Sequence, residues 1–242
     1  MVTKVKPSCP ANSLLKIIHE FQAMSAADID SIGNRCRWQR YRAGDVVLRY
    51  QDSSDSIFFI IEGTVRLTYY AVSGQEVILG DLVAGEMFGE LAAIDGQRRS
   101  ATGVIKTDAL LAIMPAPAFL ALLQSNNEIA LAILRRLTRL IRRLTERVFD
   151  FSTLAVRHRI HVALLRLAKE HLTHPNQSNP NQAVITPAPT HTDLANMIST
   201  HREAVTRELS ELVRERLIRR GDHSLTVLDI DKLESMVREV RG

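Results

Sequence analysis

Cysteine is almost missing from this chain: of 242 residues, only Cys9 and Cys36 are cysteines. Two thiols cannot staple a small scaffold, and alone they cannot make a four-ligand metal site or an iron–sulfur cluster. They read as ordinary reduced thiols. Long apolar runs are missing too. No stretch of about 18 apolar residues occurs, so neither a membrane span nor a membrane partner is expected. Residues 1–12 lack the apolar segment of an export signal, which makes the cytoplasm the expected location. No nucleophile–base pair, metal-ligand spacing or glycine-rich triphosphate loop is present, so an enzyme is not expected. Charge of one sign is only slightly in excess, with Lys+Arg 31 against Asp+Glu 27. That permits an anionic partner without requiring one, and local placement must carry the argument.

What is present is globular. The chain is 45% hydrophobic and long enough for two modest domains. Residues 37–115 read as short strands. The runs 45–48, 56–61 and 64–70 are β-branched or aromatic, and Gly44, Glu62-Gly63, Ser73-Gly74, Gly80-Asp81, Ala84-Gly85 and Asp95-Gly96 punctuate them. Many short strands with glycine turns indicate a sandwich, jelly roll or barrel. Ahead of them, residues 11–24 and 25–36 read as short helices, with Asn12 or Ser13 and Ser25 as N-caps.

The pattern changes over residues 128–151, which contain neither glycine nor proline. Apolar residues recur there at Ile133, Leu137, Leu140, Leu144, Val148 and Phe151, with arginines on the other faces. The steps of three and four approach a heptad seam, and a stripe this narrow predicts a parallel dimer helix rather than a core-facing one. A second helix is predicted over 155–171, then a Pro/Asn/Gln-rich loop over 173–190 with one short strand at Ala183-Val184-Ile185.

The C-terminal third carries the most specific signal. Residues 192–198 predict a short helix, with Thr190 or Thr192 as its cap, and Ser199-Thr200-His201 makes a turn. Residues 202–214 predict a second helix whose inner side is Ala204, Val205, Leu209, Leu212 and Val213. Ala195 is small where two helices must cross. The spacing is that of a helix-turn-helix. Arg202, Glu203, Thr206 and Arg207 occupy the N-terminal end of the second helix, the end that enters the major groove. Arg grips guanine O6 and N7 bidentately and Glu accepts from cytosine N4, each worth about 1–3 kcal/mol of discrimination. Thr192, His201 and Thr206 are expected on phosphates, which position rather than specify. Residues 216–220 and 225–228, joined at Gly221-Asp222, predict a β-hairpin wing.

A second constellation is Phe88-Gly89-Glu90-Leu91-Ala92 followed by Gln97-Arg98-Arg99-Ser100-Ala101. A glycine lets an anion approach the backbone, Arg makes charge-assisted bonds to phosphate, a carboxylate accepts from a sugar hydroxyl, and serine adds a donor. These groups suit a cyclic phosphodiester on a ribose.

Together these segments resemble the CRP/FNR family of regulators over about residues 14–228. The resemblance implies an α+β fold in three parts. These are an N-terminal β-roll (jelly-roll) cyclic-nucleotide-binding domain in 1–126, a long dimerisation helix and hinge in 127–152, and a C-terminal winged helix-turn-helix in 153–242. It implies that Gly89, Glu90, Leu91 and Ala92 form the phosphate cassette, that Glu90 takes the ribose 2′-hydroxyl, and that Arg99 and Ser100 hold the phosphate. Arg202, Glu203 and Arg207 are similar to the readers of a TGTGA-type half-site. The implied effector is cyclic AMP or cyclic GMP, without metal, haem or iron–sulfur cluster. The implied partners are double-stranded DNA, a second copy of the chain and RNA polymerase.

Departures from the family pattern bear on the effector. Laid without a gap, the pattern puts Leu144-Thr145 where cyclic-AMP-responsive members have the Thr-Ser pair that bonds the purine. Thr145 keeps a hydroxyl and Leu144 does not, which leaves adenine or guanine open. Gly80 and Val83 are expected near the pocket. Only Cys9 stands where oxygen sensors carry a cysteine cluster, and no histidine falls between His19 and His158 to bind haem. Thr173-His174-Pro175 resembles a surface that touches RNA polymerase. The alternatives are a regulator that has lost ligand control and a nucleotide-binding regulatory subunit.

Overall fold

β-branched and aromatic runs pair into one antiparallel sheet in the first half of the chain, as seen in a computed structural model that describes residues 12–71, 76–172 and 181–241. The chain divides into two compact units between Leu140 and Ile141, and each is described by itself.

In the first unit, two short 3-10 segments, Asn12–Ile17 and His19–Phe21, precede α1 (Ala26–Gly33). The Ser25 hydroxyl caps α1 by accepting from Asp28 N at 3.2 Å. Then come β1 (Arg37–Tyr41), β2 (Val46–Leu48), β3 (Ile57–Tyr70), β4 (Glu76–Val83), β5 (Met87–Phe88), α2 (Glu90–Asp95), β6 (Thr102–Met114) and α3 (Ala116–Ser125). The sheet order is β1-β6-β3-β4, with β2 also on β6 and β5 also on β3. Helix α4 (Asn127–Thr153) follows and runs past the division between units.

Side-chain alternation explains why β3 is apolar on consecutive residues. Ile57, Phe59 and Ile61 enter a core shared with Leu15, Phe21, Phe119 and Ile129, while Phe58 and Ile60 enter a second core with Phe88, Leu111 and Ile113. A strand buried on both faces has no polar alternation to show. Full burial of a side chain such as Phe59 contributes about 1.5–3 kcal/mol.

Two expected turns are bulges instead. Glu62-Gly63 interrupts the pairing of β3 with β6 without ending the strand, so residues 56–61 and 64–70 are one element. Gly63 has φ +86°, and a Cβ there would lie 2.3 Å from the Asp108 carbonyl oxygen. Only glycine fits, and the bulge bends the long strand. Gly80-Asp81 likewise sits inside β4, where the register shifts opposite Leu67 and Thr68. The predicted helix over 11–24 is the pair of 3-10 segments. Ser73-Gly74, Cys9 and Thr173-His174-Pro175 lie outside the described residues.

The second unit contains the end of α4, α5 (Val156–Leu172), β7 (Ala183–Ile185), α6 (His191–Met197), α7 (Arg202–Arg214), β8 (Ile218–Arg220), β9 (Leu225–Val227) and α8 (Ile230–Arg241). The three strands pair antiparallel in the order β7-β9-β8, so β7 widens the hairpin wing to three strands. The core gathers Ile160, Leu164, Leu194, Ala195, Val205, Leu209, Leu212, Val227 and Leu233. Thr190, not Thr192, starts α6: its hydroxyl accepts from Asp193 N at 3.0 Å while Asp193 Oδ2 accepts from Thr190 N at 3.1 Å. This reciprocal capping box satisfies two amide donors that the helix leaves open. In the turn, Ser199 takes φ +51° and Thr200 N donates to Ala195 O at 2.9 Å. Among the described residues, no single helix is long and apolar enough to cross a membrane.

Candidate nucleic-acid and effector sites

The α7 surface follows from its burial pattern. Val205, Leu209 and Leu212 turn inward, so the helical period leaves Arg202, Glu203, Thr206 and Arg207 exposed. Glu203 and Arg207 are four apart, yet no ion pair joins them among the described residues, and Arg202 is likewise outside any ion pair there. Both guanidinium forks are therefore open to base edges or phosphates. Thr192 and His201 are exposed as well, and His201 is the N-cap of α7 without a side-chain cap bond.

Thr206 has a partner that the sequence did not suggest. Its hydroxyl donates to Arg202 O at 3.0 Å and accepts from His191 Nδ1 at 2.7 Å. On the other side of the ring, Arg220 Nη2 lies 2.5 Å from His191 Nε2. His191 thus ties the recognition helix to a wing arginine. Burial, and then the charges of Arg220 and Arg202, hold the His191 pKa below its ordinary value, so the neutral ring accepts from Arg220. The three residues are far apart in sequence, and the lone helix-start histidine carried no signal.

In the first unit, the Gly89–Ser100 segment closes around one buried arginine. Arg99 is 2% exposed. Its Nε donates to Ser54 Oγ at 3.0 Å, Nη1 to Gly89 O at 2.9 Å and Nη2 to Ser56 O at 2.7 Å. The guanidinium also faces the Phe58 ring, 5.7 Å from its centroid. Desolvation lowers its pKa, with Asp55, Asp52 and Glu90 opposing. A guanidinium has about five N–H donors, and three bonds leave two for a ligand oxygen pair. Gly89 has φ +86°, and a Cβ there would sit 2.7 Å from Arg99 Nη1. Ser100 and Leu91 are exposed beside this cradle, while Ala92 packs inward. The donor set fits a phosphodiester.

Glu90 is buried, and desolvation raises its pKa against the opposing charge of Arg136. Arg136, on α4, reaches Glu90 Oε1 and Glu20 Oε1, each at 3.9 Å, and donates to Met87 O at 2.5 Å. Neither Arg136 nor Glu20 was foreseen, because nothing local marks one arginine of an arginine-rich helix as buried. Gly80 lies in β4, and Val83 ends that strand exposed.

The expected seam residues separate along α4. Ile133 is 2% exposed and belongs to its own unit's core, with Leu137 packed against it. Leu140 and Phe151 are half-buried, and Phe151 lies under the guanidiniums of Arg147 and Arg159. Leu144 is exposed, and the Thr145 hydroxyl donates to Ile141 O at 3.0 Å. The apolar side chains that reach solvent furthest are Leu134, Ile141 and Val148, at 60%, 62% and 64%. Their seven-residue spacing is a heptad stripe shifted by one residue from Ile133 and Leu140.

Two segments of the chain match known domain families. Residues 38–126 match the cyclic nucleotide-binding domain family, and residues 158–236 match the Crp-like helix-turn-helix domain family. The chain is 29% identical over 196 residues to the cAMP-activated global transcriptional regulator Vfr of Pseudomonas aeruginosa, covering 78% of this chain and 88% of that one. It is 28% identical over 202 residues to the cAMP-activated global transcriptional regulator CRP of Haemophilus influenzae, covering 82% and 87%. A solved CRP/FNR-family transcriptional regulator from Thermus thermophilus aligns with a TM-score of 0.65 and 28% identity, covering 85% of this chain and all of that one.

Proposed function

This chain belongs to the CRP/FNR family of transcription regulators, with a cyclic nucleotide-binding domain and a DNA-binding helix-turn-helix, and we propose that it is a cytoplasmic homodimer whose DNA binding answers to cyclic AMP or cyclic GMP. The observation that carries this reading is Arg99: a buried guanidinium, oriented by three protein acceptors, with two donors left beside an exposed serine. Preorganised, charge-assisted donors of this kind suit a phosphodiester anion. Ser100 adds a hydroxyl and Glu90 takes the ribose.

Output is at α7. Arg202, Glu203 and Arg207 read a TGTGA-type half-site while Thr192 and His201 hold phosphates; the Thr206 hydroxyl, which donates to Arg202 O, instead steadies the start of α7. In a two-fold dimer the paired recognition helices must lie about 34–36 Å apart, one DNA turn. The nucleotide acts by population shift, so it favours that spacing only as far as it binds one state better than the other. RNA polymerase is the proposed downstream partner, and no catalytic step is assigned.

Calorimetric titration of the purified chain with each nucleotide tests the effector assignment. Saturable binding that Arg99→Ala weakens by at least about 30-fold, the loss of a charged hydrogen-bond pair, is expected. Equal affinity in the two proteins contradicts it.

A further inference from the structure

A second concave site lies wholly within the second unit. It is a cleft of 460 Å³ between the end of α4, α5, the end of α6 and α8. That volume is in the range of small-molecule sites, about 300–1,000 Å³. None of Thr192, His201, Arg202, Glu203, Thr206 or Arg207 lines it, so it is separate from the DNA-reading face.

Its chemistry is two-sided. The floor is apolar, made by Val162, Ala163, Ile198 and Val237. The walls are cationic, with six Arg and Lys side chains against three Asp and Glu. Several of these charges are already matched. Arg241 holds Asp150 at 2.6 Å, Lys169 holds Glu234 at 2.7 Å, Arg166 faces Glu170 at 3.7 Å, and Arg147 donates to Met197 O at 2.6 Å. Arg143 and Arg159 stand in no ion pair among the described residues. Arg159 Nε is buried and has no hydrogen-bond partner among the described residues. A buried donor without an acceptor is rare in a finished structure and asks for one. Beside it, Arg147 and Arg159 both lie over the Phe151 ring, at 5.5 and 5.0 Å. Burial and the nearby charge of Arg166 lower the Arg147 pKa. The cleft therefore carries self-repelling positive charge over an apolar bed.

We propose that this cleft binds a small organic anion, a phosphate or carboxylate joined to a flat apolar body, with the anionic group on Arg159 and Arg143 and the body on Phe151 and the apolar floor. Met197 and Ile198 end the first helix of the helix-turn-helix, so the occupant touches the DNA-reading motif directly. It constitutes an input to the regulator that is independent of the Arg99 cradle.

The test uses the full chain and 1-naphthyl phosphate, 1-naphthol and inorganic phosphate as calorimetric probes, with folding of each variant checked by circular dichroism. Naphthyl phosphate is expected to bind saturably below about 1 mM. Naphthol, inorganic phosphate and the variants Arg159→Gln and Arg143→Gln should each be weaker by at least about tenfold. Arg99→Ala should bind naphthyl phosphate as wild type does. If Arg159→Gln fails to fold, Arg143→Gln alone decides. No saturable binding overturns the proposal, as does undiminished binding in the folded variants. Loss in Arg99→Ala also overturns it, by placing the probe in the cradle.

Discussion

Arg99 and Gly89 form one device: the Arg99 Nη1 donates to the Gly89 carbonyl at 2.9 Å, and that nitrogen fills the space a Gly89 side chain would need. A Cβ at residue 89 would meet Nη1 at 2.7 Å and the Ser56 carbonyl oxygen at 2.9 Å. Gly89→Ala should therefore displace the guanidinium as well as strain a φ of +86°, the strain alone costing about 1–2 kcal/mol. Gly96→Ala is the matched control. Gly96 also has a positive φ, +68°, but nothing lies within 4 Å of its added Cβ. Calorimetry should show cyclic nucleotide affinity reduced at least about tenfold in Gly89→Ala and retained in Gly96→Ala. Equal losses would mean that backbone strain, not displacement of Arg99, matters.

The arginines of α7 and the wing should separate by what they contact. Arg202→Ala is expected to lose about 1–3 kcal/mol of discrimination at one guanine of the half-site. Arg220→Ala should weaken all duplexes alike and reduce the salt slope by about one unit. Fluorescence anisotropy across single-base variants and salt concentrations distinguishes the two. An Arg202→Ala protein with an unaltered sequence preference would remove Arg202 from the readers.

A buried histidine should make the second unit sensitive to acid. His161 is buried on α5, and its Nε2 lies 2.7 Å from Glu208 Oε1 on α7. The carboxylate only accepts, so the neutral ring donates from Nε2. Desolvation lowers the His161 pKa, with Glu208 opposing. The unfolded chain takes up this proton near the ordinary value of about 6.5 and the folded chain only at lower pH. The unfolded state thus binds more protons in that window, and stability falls as pH drops below about 7. Urea unfolding at pH 7.5 and 5.5 should show this loss in wild type and a smaller loss in His161→Gln, which keeps a donor but does not titrate. An identical pH dependence in both would exclude His161 as a source.

Two isoleucines on α4 should fail differently. Ile141 is 62% exposed on the heptad stripe, whereas Ile133 is 2% exposed inside its own core. Ile141→Asp is expected to sediment as a folded monomer. Ile133→Asp should destabilise the first unit by several kcal/mol through an unpaired buried carboxylate, about 3 or more. A dimeric Ile141→Asp protein would move the interface off this stripe.

Much of the molecule was legible because its signals are local. The run from Arg202 to Arg214 and the Gly89–Ser100 segment each carry their meaning within a few residues. Glu62-Gly63 misled because a glycine at positive φ looks the same in a turn and in a bulge until the partner strand is known. Ile133 misled because a helix packed on its own domain at one end and exposed beyond it shifts its apolar stripe midway. Arg136 against Glu20 and Glu90, His161 against Glu208, and His191 between Thr206 and Arg220 were not legible. Each joins polar groups distant in sequence, and single-chain periodicity holds no information about such pairs.

A nucleotide held at Arg99 is proposed to control DNA binding through α7. The most direct measurement is the affinity of the full chain for a TGTGA palindrome by anisotropy, without nucleotide and with saturating cyclic AMP or cyclic GMP, repeated with Arg99→Ala. One nucleotide should tighten wild-type binding by about 5–150-fold, the usual range of allosteric coupling. Arg99→Ala should show no such gain, and DNA should tighten nucleotide binding by the same factor. Equal DNA affinity in the presence and absence of both nucleotides would show that neither nucleotide controls DNA binding.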